Sequence, residues 1–567
     1  MKKIIVLWFF TLLFAISCTN STVKLPVANE DSNDEDISEI ADEDSEEEKH
    51  QESDSDIEIR PLEFESGYIE LESVSYTLNF VEEKTGRAKM WYNFQPADEN
   101  PEEKPLFVLF NGGPGSASAL IFLYNTAKKT GDQFFSGEDV ADNESNWNKM
   151  GNLLYVDARQ TGFSFGIIDD PERSEDREAY FSSSNFNVFA DAADFIRVIL
   201  RFLQKHPQIQ SNPVILSGES YGGTRTTAIL NILLNVADYN EKNRVFYDET
   251  LFMEIAEHFR TIGASFTDMP SKETVLQQFD HQIMIQPLVA GSTQMNAAGE
   301  LLEKSDSPVF IVEQETGVDF TPCSNQWSCS KYNNAISFIQ SAGRDIYSYR
   351  RPYNWLFDYT DVATAKMLQF SKFTQFIMND PKEISDLYAQ NRSGVFRYGS
   401  SVNTKSPSEY SDFRFMPEPV KIIMQNRFLQ RQQVPLLSGD LESIFGELPS
   451  YDEYFVDLNY SINFAFYRAS VSPYDDVNGD MFLENIRSVR TFITQAEEDI
   501  VIYSKGIPES LKNFKGVSDV KTASDSFTVH FSDGQSVEVT FPFYPESAHS
   551  VSVNQPAKLL QDIQNWL

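Results

Sequence analysis

The sequence predicts an α/β protein with a mostly parallel central sheet and a large helical lid insertion, and three observations predict it. The runs "PLFVLF", "NLLYV" and "NPVIL" are short and almost continuously apolar. Such runs read as strands buried on both faces, where apolar/polar alternation disappears. Segments of helical spacing separate and follow these runs, as crossover helices between parallel strands require. Finally, from about residue 290 to 480 the character changes to aromatic, irregular, mostly helical segments such as "YSYRRPYNWLFDYTD", before a strand pattern resumes at "SVRTFITQ". A long insertion of this kind reads as a lid.

Taken in order, residues 1–17 read as a signal peptide, because Lys2 and Lys3 precede an apolar run from Ile4 to Ile16 that is too short to span a bilayer. The run ends in "LLFAISC", similar to a bacterial lipoprotein box, so Cys18 is the expected lipidated residue and the chain is expected to be exported and anchored in the cell envelope. Residues 18–60 read as a tether. Sixteen Asp or Glu residues lie between Glu30 and Glu58, and a segment so charged lacks the apolar surface to offset its ordering entropy.

Residues 61–289 form the first part of the expected core. "SYTLNFVEE" and "AKMWYNFQP" read as a paired antiparallel start, followed by the buried strands. Between Val188 and Leu203, Ala192, Phe195, Ile196, Ile199, Leu200 and Leu203 follow helical spacing. "YGGTRTTAILNILLNV" reads as a second helix. The lid, 290–480, holds Cys323 and Cys329, close enough in an exported chain for a local disulfide. Residues 481–567 complete the core with a strand in "SVRTFITQAEEDIVIYSKG", a hairpin about Asp533-Gly534, and a terminal helix with Leu559, Leu560, Ile563 and Trp566 on one face.

Composition excludes some functions. With 567 residues, 41% of them hydrophobic, the chain can bury a sizeable core. A formal charge of -39, from 46 basic against 85 acidic residues, argues against nucleic acid, which needs clustered Lys and Arg. No dinucleotide or P-loop pattern stands in a fitting context and no cluster of metal ligands is present, so neither cofactor nor metal is expected.

The stretch "ILSGESYGG" carries the chemistry. A strand, a turn hemmed by Gly218 and Gly222 and a following helix are what a nucleophile elbow needs, and they make Ser220 the candidate nucleophile. A serine hydroxyl needs a base, and an acid to orient that base. Of six histidines, His50 lies in the tether, His206 ends a helix, His258 and His281 fit structural roles, and His530 sits on the polar face of the hairpin. His549 falls in a loop between the last strand and the final helix, where a sheet-top base belongs. The order Ser, Asp, His is that of α/β-hydrolases, which puts the acid at a strand end among Glu497, Glu498 and Asp499. Shorter reach favours Asp499. For an oxyanion hole, Tyr221 can give one backbone N–H and the "NGGPG" loop another.

From about residue 66 to the C-terminus the chain resembles serine carboxypeptidases of the α/β-hydrolase class. "NGGPGS", "NWN" at 146–148, "GFSFG", "GESYGG" and "AHSVSVNQP" occur in that family's order, while the lid departs from it. The resemblance implies Asp499 as the triad acid, Gly113 as the second oxyanion donor, and Asn111 and Glu219 as the residues that hold the substrate's C-terminal carboxylate. Such a carboxylate is tolerated beside Glu219 only if Glu219 is protonated and donates a hydrogen bond, so activity is expected to weaken as pH rises. Departures from the family are Asn125 where a second glutamate is frequent, Leu109 for a tryptophan and Ser116 for a cysteine. The expected function is a serine carboxypeptidase acting on peptides with a free C-terminus through an acyl-enzyme. An esterase or acyltransferase with the same triad, and an inactive envelope-binding relative, are the alternatives.

Overall fold

The computed structural model describes residues 61–118, 121, 125–130, 141–161, 164–167, 183–238, 246–289, 477–497, 502, 504, 506–545, 547 and 549–567. The expected signal peptide, tether and Cys18, the lid up to residue 476 with Cys323 and Cys329, and both Glu498 and Asp499 lie outside the described residues.

One large sheet organises the chain. Its strands are β1 (Glu65–Leu71), β2 (Arg87–Gln95), β3 (Leu106–Phe110), β4 (Asn152–Val156), β5 (Val214–Glu219), β6 (His281–Ile285), β7 (Arg490–Ile493), β8 (Val517–Thr522), β9 (Ser526–Phe531) and β10 (Ser536–Thr540). They lie in the order β1-β2-β4-β3-β5-β6-β7-β10-β9-β8, with Phe165–Ile167 paired beside β2. From β4 to β10 every neighbouring pair is parallel, and the pairs at both edges are antiparallel. This is the α/β-hydrolase arrangement expected from the sequence. The three apolar runs behave as buried central strands should: every residue of β3, β4 and β5 is buried.

The expected antiparallel start needs correction. Arg87–Gln95 pairs with Glu65–Leu71, whereas Ser75–Leu78 folds back on Val81–Lys84 as a separate hairpin. The reason is local, because Asn79 and Phe80 both have positive φ, at 50° and 65°, the backbone of a two-residue turn whose twist matches paired strands. The second expected hairpin holds in register. Phe527 faces Val539 and Val529 faces Val537 across β9 and β10, with Gly534 at φ 89° in the turn. Strand β8, polar on its exposed face, extends this hairpin.

Helix α1 (Val188–Lys205) starts where Asn187 accepts hydrogen bonds from the backbone N–H groups of Phe189 and Ala190. It packs beside α2 (Tyr221–Leu234) and α3 (Glu249–Thr261), the latter capped by Asp248. Unusually for a buried helix, α1 carries a ladder of charges, each paired to another element. Asp191 meets Arg225 of α2, Asp194 meets Arg159 after β4, and Arg197 meets the cap residue Asp248. Removing one member of such a pair strands a charge and typically costs about 3–5 kcal/mol. On the other side, α4 (Val477–Ile486) and α5 (Gly506–Leu511) enclose a second core with Phe482, Ile493, Ile507 and Phe527. Helix α6 (Pro556–Trp566) closes the chain with Leu559, Leu560, Ile563 and Trp566 buried, as expected.

His258 on α3 is buried against Gln278, with Nε2 2.8 Å from Oε1. Burial holds its imidazole below the ordinary value of 6.5. In the unfolded chain the ring takes its proton at about that ordinary value, so the folded state binds fewer protons below it, and stability falls as pH drops through 6.5 toward the lower folded value. His258→Asn is therefore expected to flatten the fall in Tm between neutral and mildly acidic pH. Parallel Tm–pH curves for the two proteins would refute this.

Candidate active site

Strand β5 delivers Ser220 at the carboxyl edge of the sheet. From Val214 to Val236 every residue is buried except Ser220, which is partly exposed. Its backbone is strained, with φ 60° and ψ -123°, a conformation that costs a non-glycine residue about 1–3 kcal/mol. The surrounding structure enforces it. The Ser220 N–H donates to the Ile285 carbonyl (3.0 Å), and the Ser220 carbonyl accepts from Gly223 N–H (2.9 Å) and Leu288 N–H (3.0 Å). Its hydroxyl does not cap the helix that it precedes.

The turn closes only because its neighbours lack side chains. A Cβ on Gly218 would stand 2.2 Å from the Gly222 carbonyl oxygen. A Cβ on Gly112 would stand 2.6 Å from the Glu219 carbonyl oxygen and 2.7 Å from both Ser220 Cβ and Tyr221 N. The "NGGPG" loop therefore lies flush against the elbow, as the parallel register of Phe110 with Gly218 requires. Asn111 and Glu219 each follow one of these paired residues. The two expected oxyanion amides belong to these adjoining segments. Tyr221 opens α2, so its N–H belongs to the first turn, where amides project from the helix end. Across the gap, the Gly112 carbonyl accepts from Ser116 N–H (3.1 Å). The Gly112–Gly113 peptide is trans, since the cis bond is Gly113–Pro114, so the Gly113 N–H points opposite to that carbonyl.

The side chain of Asn111 is tied into its own loop, donating from Nδ2 to the Ala117 carbonyl (3.1 Å) and accepting at Oδ1 from Gly112 N–H (2.8 Å). Glu219 is buried and accepts at Oε1 from the Ser550 hydroxyl at 3.0 Å. That bond brings the loop carrying His549 to the elbow, since Ser550 follows the histidine and Glu219 precedes the serine. His549 itself is buried. Asn125 is buried with φ 62° and donates to the Ser552 carbonyl (3.4 Å), a second tie to the same segment. The other described histidines have partners elsewhere: His206 with Glu65, His281 with Asp280, and His530 with Ser536.

Four residues near the site were not singled out from the sequence. Arg225 and Asp191 form a buried pair beneath the elbow, in which burial pushes the Asp191 carboxyl up while the Arg225 guanidinium and the Tyr221 hydroxyl pull it back. Ser550 was hidden in a loop. Gln286 follows β6 with φ 46°; its Oε1 accepts from Ala496 N–H (2.9 Å) and from the hydroxyls of Ser504 (3.1 Å) and Thr494 (3.2 Å). One side chain thus joins the ends of β6 and β7 to the residues flanking the expected acid. Arg225 and Asp191 carry a readable signal, being charges at core positions of apolar helices. Two motif segments act as supports: Asn148 donates to the Pro96 carbonyl (2.9 Å) and Ser164 to the Asp157 carbonyl (2.8 Å).

Among the described residues, no group of three or more His, Cys, Asp or Glu could hold a metal ion, and no helix is long and apolar enough to cross a membrane. Residues 59–253 match the family model described as serine carboxypeptidase. The venom serine carboxypeptidase of Apis mellifera is 30% identical over 184 residues, which are 31% of this chain and 34% of that protein. Serine carboxypeptidase-like 41 of Arabidopsis thaliana is 30% identical over 189 residues, 32% of this chain and 33% of that protein. The chain thus spans about a third of the length of the curated relatives it matches. Among solved structures, a prohormone-processing carboxypeptidase from Saccharomyces cerevisiae aligns with a TM-score of 0.43 at 13% identity, over 89% of this chain and 90% of that one.

Proposed function

We propose that the protein is a serine-type carboxypeptidase that removes C-terminal residues from peptides through an acyl-enzyme on Ser220. The observation that carries this reading is the elbow: a strained serine, partly exposed in a buried run, with Glu219 before it tied to the residue after His549. The match of residues 59–253 to serine carboxypeptidases supports it.

In this reading Ser220 Oγ attacks the carbonyl of the last peptide bond and passes its proton to His549, whose ring Asp499 orients. The oxyanion lies between the N–H groups of Gly113 and Tyr221. Collapse expels the C-terminal amino acid, which takes the proton from His549. Water then attacks the acyl carbonyl by the same route, restoring Ser220 and releasing the shortened peptide. Asn111 and Glu219 hold the substrate's terminal carboxylate. Ser550 donates to Glu219 Oε1, and in this reading Glu219 meets the substrate carboxylate in its protonated form.

The test compares a free-acid peptide with its C-terminal amide. The free acid is expected to be cleaved at least about 10-fold better in kcat/KM, because a charge-assisted hydrogen bond contributes about 1.5–3 kcal/mol. Ser550→Ala is expected to shrink that preference and to change the pH profile for the acid only. Equal cleavage of acid and amide would overturn the carboxypeptidase reading in favour of a hydrolase blind to the C-terminus.

The N-terminal sequence supports export and a lipid anchor on Cys18, with 18–60 as the tether. Labelled palmitate should enter the wild-type chain in cells and not Cys18→Ala; equal incorporation would remove the anchor from the account.

A further inference from the structure

Beneath the elbow, Arg225 touches both chain segments that carry the oxyanion amides. Its Nε donates to Asp191 Oδ2 at 2.7 Å and its Nη2 to Asp191 Oδ1 at 3.2 Å, while Nη1 donates to the Asn111 carbonyl at 2.5 Å. The Tyr221 hydroxyl donates to the same Asp191 Oδ2 at 3.0 Å. The guanidinium carbon stands 4.4 Å from the centre of the Phe195 ring and 5.2 Å from that of Tyr221. Arg225 and Tyr221 are each 1% exposed and Asp191 is 5% exposed. Arg225 follows Tyr221 by four positions on α2, so both side chains lie on one face of the helix, toward α1.

We propose that Arg225, held by Asp191, is a positioning residue of the oxyanion hole. It fixes the distance between the loop that carries Gly113 and the helix end that carries Tyr221. The inference rests on the reading of Ser220 and its two oxyanion amides given above. Two amides stabilise one oxyanion only if both reach the same point to within a few tenths of an ångström, and they come from segments that meet only through the fold. A guanidinium can do this because its planar fork donates to a carboxylate through two nitrogens and still presents a third to a carbonyl. An ammonium has no such fork. The alternative, that the pair only stabilises the fold, predicts lost stability with unchanged chemistry per folded site.

The distinction is visible in ligands that differ in whether they form an oxyanion. A peptide aldehyde adds to Ser220 Oγ, the serine proton passes to His549, and the former aldehyde oxygen becomes an oxyanion between the two amides. The N-blocked peptide acid left after cleavage forms none. The experiment uses the full chain, with active sites counted by fluorophosphonate titration, and measures kcat, KM, aldehyde Ki and product Kd. Arg225→Lys is expected to lower kcat about 10- to 100-fold and to raise the aldehyde Ki by a similar factor. KM and product Kd should stay within about twofold, because only the transition state uses the hole. Should Arg225→Lys or Asp191→Asn fail to fold, Tyr221→Phe removes a single hydroxyl and is expected to raise the aldehyde Ki several-fold at unchanged product Kd. If folded Arg225→Lys, or Tyr221→Phe in its place, keeps wild-type aldehyde Ki and kcat per titrated site, the positioning role is overturned and the pair is structural. If the wild-type protein is not inhibited by peptide aldehydes, the carboxypeptidase reading falls first, and this inference with it.

Discussion

Ser220→Ala is expected to lower kcat for peptide cleavage by at least about 10⁴-fold while leaving the fold intact. Removing a triad serine costs about 2 × 10⁶ in kcat in a well-studied protease. What remains comes from binding and the oxyanion amides, which the substitution leaves in place. The fold should survive because the strained backbone at Ser220 is imposed by Ile285, Gly223 and Leu288 through its own N–H and carbonyl, none of which the substitution touches. The strain gives an internal control. Ser220→Gly removes the Cβ that makes φ 60° unfavourable, so it should be as inactive as the alanine variant yet more stable, by up to about 1–3 kcal/mol. Peptide cleavage that survives either substitution would mean that the nucleophile lies elsewhere.

Asp499→Asn is expected to lower kcat by about 10⁴-fold, whereas Glu498→Gln should stay within about twofold of wild type. An asparagine keeps the size of the triad acid but favours the wrong tautomer of the histidine and cannot stabilise the imidazolium. The neighbouring glutamate is the natural competitor, since Glu497, Glu498 and Asp499 stand together after β7. The reverse pattern, a silent Asp499→Asn and a damaging Glu498→Gln, would move the role to the glutamate. Gln286→Ala offers a related check, because its Oε1 holds Ala496 and Ser504 on either side of this loop. Its loss should lower kcat less than loss of the acid itself.

Much of the fold was legible because it is written in local patterns. Continuous apolar runs such as "LFVLF" marked the central strands, helical spacing marked α1 and the terminal helix, and Asp533-Gly534 marked a hairpin. The N-terminal pairing departs from the expected one for a physical reason. Asn79-Phe80 lacks the glycine that usually announces a two-residue turn, so the sequence does not display the chain reversal between Leu78 and Val81, and the local pattern points to the wrong partner for the next strand. The strained turn at Ser220 is legible because an elbow demands small residues at fixed positions, and both Gly218 and Gly112 have no space for a Cβ. His549 is singled out in the sequence by elimination, and the structure shows it buried and followed by the residue that bonds Glu219. Arg225 and Asp191 were not, because a buried ion pair depends on two helices meeting. One sequence displays each helix's charge but not its partner. The bond from Ser550 to Glu219 is of the same kind, joining residues that only the sheet brings together.

The account turns on Ser220 as a covalent nucleophile, and rapid acid quenching of the protein with an N-blocked peptide ester, followed by peptide mapping by mass spectrometry, tests it most directly. With a good leaving group, acylation outruns deacylation. The fragment containing Ser220 should then carry the mass of the acyl group, the adduct should be absent in Ser220→Ala, and it should build up in His549→Ala only very slowly. Hydrolysis of the ester with no adduct on that fragment, or with an adduct on another residue, would contradict the mechanism.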